Sequence, residues 1–476
     1  MSPRLGELSP KPAKRRRVRR RTKRTDQLPS SLRAINLNAA GIDIGAESHF
    51  VAVPDDRDER SVREFGAFTV DLYAIADWLE SCGIETVAME STGVYWLPLL
   101  ELLEERGFKV KLVDPHQLKN VPGRKSDVLD CQWIQQLHTF GLLSGAFRPD
   151  DQVCVLRSLM RQRGMLVSCA ADHIRHMQKA LTQMNVKLQH VVSDVTGKTG
   201  MGIIRAIVEG ERDPHELAQL RDHRCRKSVE TIAKALEGNW RVEHLFALRQ
   251  AVELYDFYQQ RIADCEREIE VHLGTFEDRS GGQPLPKMTA MDTPRKPKKH
   301  PFSFDAETVL YQMTGIDVVQ IGGVAPTVSL QIISEIGLDM SKWQTTKRFA
   351  SWLGLCPGSK ISGGKMLSSR SRQCANRAAA AFRMAAYGVQ HSACPLGAFY
   401  RRMKARMGPA QAITATAHKI ARILFAMLRD GAEYIEHCPQ EAAKNTERAT
   451  RALKRNARRL GFKLVPLNDQ PTAAAA

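Results

Sequence analysis

The sequence predicts an α/β domain near the N-terminus, a helical region with coiled-coil periodicity after it, and a mainly helical C-terminal domain. From residue 39, short apolar runs alternate with helical periods, which is typical of an α/β layer. Between residues 151 and 275, apolar residues recur three and four positions apart, which indicates long amphipathic helices. Helical patterns return over residues 306–436, after a segment rich in Pro, Gly and Lys. A chain of 476 residues has room for two or three domains of roughly 100 to 200 residues each.

The predicted α/β domain begins with three extended segments. The first is AAGIDIG, a buried strand, and the next two are HFVAVP and VREFGAFTV. Helices and strands then alternate, in the order DLYAIADWLESC (helix), TVAMES (strand), VYWLPLLELLEER (helix), FKVKLVD (strand) and SDVLDCQWIQQLH (helix). The resulting order is three strands, helix, strand, helix, strand, helix.

Two seams with heptad spacing mark the central region. The first contains Val167, Ala170, Ile174, Met177, Leu181, Met184 and Leu188, and the second contains Leu245, Leu248, Val252, Tyr255, Tyr258 and Ile262. Such seams predict either a long antiparallel helical hairpin or a coiled-coil dimer arm. Both alternatives stay open, because the same apolar spacing also serves the core of a helical bundle.

Composition shifts divide the chain into six segments. We expect a disordered basic arm at residues 1–34, the α/β domain at 35–150, the helical arm at 151–277, a linker at 278–305, the C-terminal domain at 306–440 and a basic tail at 441–476. The N-terminal arm contains KPAKRRRVRRRTKR, which has ten basic residues and no acid. A block of like charge cannot bury apolar surface, so it suits scanning of phosphates. A solvated tail without a function is the alternative.

The overall charge favours a polyanionic partner. Lys and Arg number 70 against 52 Asp and Glu, for a net charge of +18, and nucleic acid is the leading candidate for such a surface. No apolar run approaches the ~20 residues that span a bilayer, and no secretory leader is recognisable, so we expect a soluble intracellular protein without a membrane partner. The ten cysteines form no C-x-x-C pair, which indicates reduced thiols rather than a zinc ribbon or a disulfide framework.

Four acidic residues lie within or at the ends of the predicted strands and helices. Asp43 lies inside an apolar strand, where a charge is costly unless it is compensated, and Glu90 ends another strand. Asp127 and Asp130 open the helix after the last strand of the domain. Four converging carboxylates would repel one another, and divalent cations with oxygen ligands relieve that repulsion. The alternative is that Asp127 caps its helix and Asp130 faces solvent.

A second candidate site is the segment LGLCPGSKISGGKMLSSRS, which composition indicates is a loop. Its glycines, Gly363 and Gly364, would let backbone N–H groups approach a phosphate closely. Its basic residues, which would neutralise that phosphate, are Lys360, Lys365, Arg370 and Arg372. No G-x-S-x-G motif of an acyl hydrolase is present, and a purely structural role for the serines is an alternative.

The blocks GIDIGAESHFVAVP, VAMESTGVYW and GRKSDVLDCQW resemble those of the DEDD-type insertion-sequence transposases. The resemblance continues through CANRAAAAFRMAAYG to the C-terminal domain, so it covers nearly the whole chain. It implies a RuvC-like N-terminal domain with an RNase H-like fold, and a metal-binding tetrad of Asp43, Glu90, Asp127 and Asp130. The implied cofactor is a pair of Mg²⁺ ions, with Mn²⁺ as a substitute.

The same resemblance implies roles for further residues. The serine of the family's C-terminal domain, which is linked covalently to DNA, matches Ser362, with Ser359 as a less favoured substitute. Contacts with nucleic acid are expected for Lys125, Asn376 and Arg377, although many relatives have Gly-Asn where Ala375 and Asn376 stand. The implied partners are DNA at the element ends and target, a structured guide RNA encoded by the element, and further copies of the chain in a dimer or tetramer. The implied setting is the bacterial cytoplasm, at the nucleoid.

Two other functions compete with a transposase/recombinase. One is a RuvC-like junction-resolving endonuclease that uses metal-activated water and forms no covalent intermediate. The other is a non-enzymatic coiled-coil nucleic-acid-binding protein, in which the four acids are helix caps and surface residues. The second leaves an acid inside an apolar strand unexplained.

Overall fold

The computed structural model describes residues 33–91, 93–114, 127–286, 301–372, 374–431 and 439–463. Lys125, the side chain of Asp127, most of the predicted basic arm and part of the predicted linker lie outside the described residues. The chain forms two compact units, which divide between Phe147 and Arg148.

The first unit is built on a mixed sheet of five strands, which are β1 (Ala39–Ile44), β2 (Ser48–Ala52), β3 (Val62–Gly66), β4 (Thr86–Glu90) and β5 (Lys109–Val113). Their order across the sheet is β3-β2-β1-β4-β5. Strands β1, β2 and β3 pair antiparallel, whereas β4 pairs parallel with both β1 and β5. The helices are α1 (Thr69–Ser81), α2 (Trp96–Glu105) and α3 (Asp127–Thr139). The predicted order of strands and helices is confirmed, and the sheet agrees with the implied RNase H-like class.

Apolar residues cover both faces of this sheet, because successive side chains of a strand point to opposite sides. Ile42 and Ile44 of β1 belong to one core, which includes the buried faces of α1 and α2. On the other face, Ala88 and Val113 pack with Ile134 of α3. Burial on both faces explains why the strands read as apolar runs in the sequence.

The second unit is mainly helical. Its helices are α4 (Asp151–Gln183), α5 (Leu188–Val191), α6 (Lys198–Glu209), α7 (Pro214–Gln219), α8 (Val229–Leu236), α9 (Val242–Leu273), α10 (Ala306–Thr314), α11 (Pro326–Ile336), α12 (Thr346–Trp352), α13 (Arg377–Gly388), α14 (Pro395–Met407), α15 (Pro409–Asp430) and α16 (Pro439–Arg459). Short 3₁₀ helices span Val318–Gln320 and Met340–Lys342, and a β-hairpin consists of β6 (Lys360–Ser362) and β7 (Lys365–Ser368). No helix of the described residues is long and apolar enough to cross a membrane, and none of the nine cysteines described forms a disulfide.

The two long helices, α4 and α9, run antiparallel against each other. Gln152 near the start of α4 donates a side-chain hydrogen bond to Thr275, just beyond the end of α9 (2.9 Å). Further along α4, His173 stacks on Tyr258 of α9 with ring centroids 5.4 Å apart. The two seams therefore meet as a helical hairpin within one chain, which is one of the two predicted alternatives. A coiled-coil dimer stays a prediction.

The end of this helical hairpin that contains the C-terminus of α4 belongs to a core of several helices, and is not a seam between two helices alone. Helix α4 ends at Gln183, although the predicted seam continues to Leu188. Met177, Leu181 and Leu248 are buried in a cluster with residues of the short helices α6, α7 and α8. The apolar spacing predicts the buried face of each helix correctly, but several helices cover that face, because spacing alone does not specify the number of packing partners.

A buried ion pair joins the middle of the two long helices. Arg163 and Glu266 keep only 7% and 6% of their side chains exposed and are 2.6 Å apart. Glu266 also accepts the Ser303 N–H at 2.9 Å, and the Arg163 guanidinium lies 4.3 Å from the centroid of the Phe302 ring. The last part of the predicted linker, at Phe302 and Ser303, is thus packed against the helical hairpin.

Replacing Glu266 with glutamine should lower the free energy of unfolding by about 3–5 kcal/mol, because the charge of Arg163 would stay buried without its counter-ion. Thermal and chemical unfolding of the full chain measure this loss. The matched control is Asp256→Asn, which breaks the exposed pair with Arg205 and should cost less than about 1 kcal/mol. Equal losses for the two variants would contradict a special role for the buried pair.

Candidate active site

Asp43 and Glu90 lie at the ends of neighbouring parallel strands. The paired positions of β1 and β4 run up to Ile42 opposite Met89, so Asp43 and Glu90 occupy the next position on each strand. Gly41 and Ala88, two residues earlier, are also opposite each other. Because side chains alternate along a strand, both acids project from the face that carries Ala88 and that α3 covers. Both are half-buried.

Helix α3 lies directly against β1. A Cβ atom at Gly41 would come within 2.2 Å of the backbone nitrogen of Gln135 and 2.5 Å of the Cys131 carbonyl oxygen. Near the start of β1, the backbone N–H groups of Ile35 and Asn36 donate to the Thr139 carbonyl, at the end of α3. The helix therefore runs antiparallel to the strand, and its first turn lies at the end of β1 that carries Asp43.

The thiol of Cys131 lies near carboxylates of both β1 and α3. Cys131 is fully buried, and burial raises the pKa of its thiol to about 12, with further contributions from the negative charges of Asp43 and Asp130. Both carboxylates therefore act on the same buried group of α3. Asp130 itself is half-buried.

The residues of this edge suit a divalent cation by their chemistry. Asp43, Glu90 and Asp130 offer carboxylate oxygens, which Mg²⁺ and Mn²⁺ prefer as ligands. Asp127 opens the same helical turn as Asp130, but its side chain is not described. Among the described residues, no three His, Cys, Asp or Glu side chains form a group that could hold a metal. The structure thus brings three of the four predicted acids to one edge of the sheet, and the described residues there do not form a complete set of metal ligands.

Substitution of Gly41 tests how closely α3 must approach the strand. We expect Gly41→Ala to lower the free energy of unfolding by at least about 2 kcal/mol, because the new methyl group would push against helix backbone that cannot rotate away. The control is Gly164→Ala in α4, where a Cβ meets nothing within 4 Å and should stabilise the helix by about 0.5–1 kcal/mol. Denaturant unfolding compares the two. An unchanged Gly41→Ala midpoint would contradict the close packing.

The serine-rich segment forms a β-hairpin, which corrects the loop that composition indicated. Ser362 ends β6 and is paired with Lys365, the first residue of β7. Gly363 and Gly364 between them have φ angles of +55° and +75°, as a type I′ turn requires at both central residues. The signal was present in the sequence, because Gly-Gly between two short extended runs is a hairpin signature.

The predicted phosphate-binding residues of this segment are exposed on and around the hairpin. Ser359, Ser362 and all four basic residues (Lys360, Lys365, Arg370 and Arg372) are exposed. At the base of the hairpin, the Gly358 N–H donates to the Arg370 carbonyl at 3.1 Å. Asn376 caps helix α13, since its side-chain oxygen accepts the Ala379 N–H at 3.0 Å, and Arg377 is the exposed first residue of that helix. The acids belong to the first unit and the hairpin to the second, and each site is built within its own unit.

The mixed five-stranded sheet agrees with an RNase H-like domain, and the acids lie at one edge of it. A family model for DEDD transposases of the IS110 type, described as Transposase, matches residues 40–186. A second model, described as Transposase IS116/IS110/IS902 family, matches residues 318–401. The chain belongs to the IS110 family of DEDD transposases. A search of curated proteins found no match. The first model spans all four acids, the second spans Ser362, and membership implies DNA binding and suggests dependence on a divalent metal.

Proposed function

We propose that this transposase excises and inserts its element by metal-dependent strand cleavage and exchange through a phosphoserine link between Ser362 and DNA. The observation that carries the proposal is the placement of Asp43 and Glu90 side by side at the ends of parallel strands, against the first turn of α3. Divalent cations held between these carboxylates and the phosphates of a polyanionic substrate would explain why a chain of net charge +18 keeps acids together at this edge.

The acids would act as oxygen ligands for Mg²⁺, or for Mn²⁺ in its place. Asp43, Glu90, Asp127 and Asp130 form the proposed ligand set, and the turn of α3 supplies two of the four. Two divalent cations, when bound, would neutralise charge on the attacking and leaving oxygens of phosphoryl transfer. The tight contact at Gly41 holds the helix to the strand, so the ligands of the two elements keep a constant spacing.

Ser362 would act as the nucleophile. Its oxygen forms a bond to phosphorus while the bond from phosphorus to one deoxyribose oxygen breaks, and the phosphoserine link conserves the energy needed to rejoin strands. Ser362 is exposed and lies next to the turn of the β-hairpin. This position supports the role, because a DNA strand can reach the hydroxyl. We assign Lys125, Asn376 and Arg377 to contacts with the nucleic acid backbone, together with the basic residues of the hairpin.

Strand exchange requires at least two DNA segments, so we propose a dimer or tetramer that uses the α4–α9 helical pair. We also propose that a structured RNA from the element selects donor and target by base pairing, as an RNA guide does elsewhere. Copurification measures this directly. RNA of the element should accompany the protein isolated from cells that carry the element, and its absence would contradict RNA guidance without affecting the chemistry.

The test of the covalent chemistry is mass spectrometry of the protein purified under denaturing conditions from cells that carry the element. A nucleotide remnant should be found on the peptide that contains Ser362, and it should disappear in Asp127→Asn. DNA cleavage without any remnant would instead favour a RuvC-like junction-resolving endonuclease that hydrolyses with water. If neither DNA cleavage nor a nucleotide remnant is found, the non-enzymatic nucleic-acid-binding protein is favoured.

A further inference from the structure

The hairpin of β6 and β7 places one particular lysine beside the proposed nucleophile. Ser362 and Lys365 are direct partners across the two antiparallel strands. Directly opposed residues project from the same face of a hairpin, with Cβ atoms ~4.5–5.5 Å apart. The flexible four-carbon stem of a lysine can bring its ammonium to a group bound at the partner side chain. The neighbouring pair, Ile361 and Met366, projects from the opposite face.

The turn fixes this pairing. With both Gly363 and Gly364 at positive φ, the turn has the two-residue form whose twist matches that of the flanking strands, and it sets the register of the hairpin. A Cβ atom added at either glycine would meet nothing within 4 Å. The space in front of the turn is therefore open to a DNA backbone, immediately beside Ser362 and Lys365.

The other basic residues of the hairpin segment have different positions. Lys360 is paired with Ser368, beyond a register shift between Lys360 and Ile361, and Arg370 and Arg372 follow β7. Residues 357–372 include no Asp or Glu, so no acid within the segment competes for these cations. Lys365 is thus distinguished from equally exposed neighbours by its register with Ser362.

We propose that Lys365 binds the scissile phosphate during attack by Ser362, which makes it a catalytic residue rather than one of several cations that attract DNA. This inference rests on the proposed function of Ser362. As the serine oxygen bonds to phosphorus, the serine proton passes to water, the bond from phosphorus to a deoxyribose oxygen breaks, and that oxygen takes a proton from water. The Lys365 ammonium keeps its own protons and donates hydrogen bonds to a non-bridging oxygen, where negative charge develops.

The test separates the rate of attack from DNA binding. The full-length protein is mixed with a DNA duplex that spans one end of its element, with RNA transcribed from the element present, and the covalent adduct is followed in a single turnover. At saturating DNA, Lys365→Gln should slow adduct formation by about 10²-fold, and Lys365→Arg should recover part of the rate. Lys360→Gln removes the same charge from the same hairpin and should only weaken DNA binding and its salt dependence.

Two outcomes would overturn the inference, and they are distinguishable. If the wild type forms the adduct and Lys365→Gln matches Lys360→Gln at saturating DNA, Lys365 is only an attracting charge and the proposed function of Ser362 stands. If the wild type forms no adduct, the proposed function fails and the inference fails with it. Circular dichroism of each variant checks the fold, which should be unchanged because both lysines are exposed.

Discussion

Ser362→Ala should abolish the covalent adduct and reduce strand exchange by at least about 10³-fold, because no other group takes over when a nucleophile is removed. The variant should fold normally, since Ser362 is exposed and lies outside the apolar cores. The measurement is excision and insertion of the element in cells, combined with detection of protein joined to DNA. DNA binding should persist, because the basic residues around the hairpin are unchanged.

The matched control for this prediction is Ser359→Ala. Ser359 lies three residues before Ser362, is also exposed and precedes β6, so the same atom is removed nearby. We expect activity close to that of the wild type. If Ser359→Ala is inactive while Ser362→Ala is active, the nucleophile is Ser359. If both variants exchange strands normally, the phosphoserine mechanism is wrong.

Asp43→Asn should also reduce strand cleavage by at least about 10³-fold, which corresponds to about 4 kcal/mol of lost transition-state stabilisation. The physical reason is that an amide is a poor substitute for a carboxylate where oxygen ligands must offset the charge of a cation.

Divalent metal gives this prediction a readout that does not depend on activity. Adding Mg²⁺ should raise the unfolding temperature of the wild type, because a ligand that binds the folded state stabilises it. The increase should be absent or much smaller in Asp43→Asn. The control is Glu64→Gln on β3, which removes a charge from the same face of the sheet, two strands from Asp43. An equal Mg²⁺ response in Asp43→Asn and the wild type would contradict a metal-binding role for Asp43.

Much of the first unit could be predicted from sequence, because its strands are short apolar runs and its helices are amphipathic. The position of Asp43 was informative for the same reason, since an acid within AAGIDIG stands out against apolar neighbours. The hairpin was missed because serine, glycine and lysine indicate a loop by composition, although the Gly-Gly turn indicates a hairpin. The close approach of α3 to Gly41 could not be predicted from the sequence, because a glycine in a strand does not show which backbone packs against it.

By itself, the sequence determined the order of strands and helices, the positions of Asp43 and Glu90 on their strands, and the apolar seams of α4 and α9. These properties depend on local periodicity and on the cost of burying charge, which can be read along the chain. Only the tertiary structure decided that α3 runs antiparallel to β1 and brings its first turn to Asp43, that the seams meet within one chain, and that Ser362 is in register with Lys365. Each of these depends on pairing between separate segments, and packing and turn geometry specify that pairing where periodicity does not.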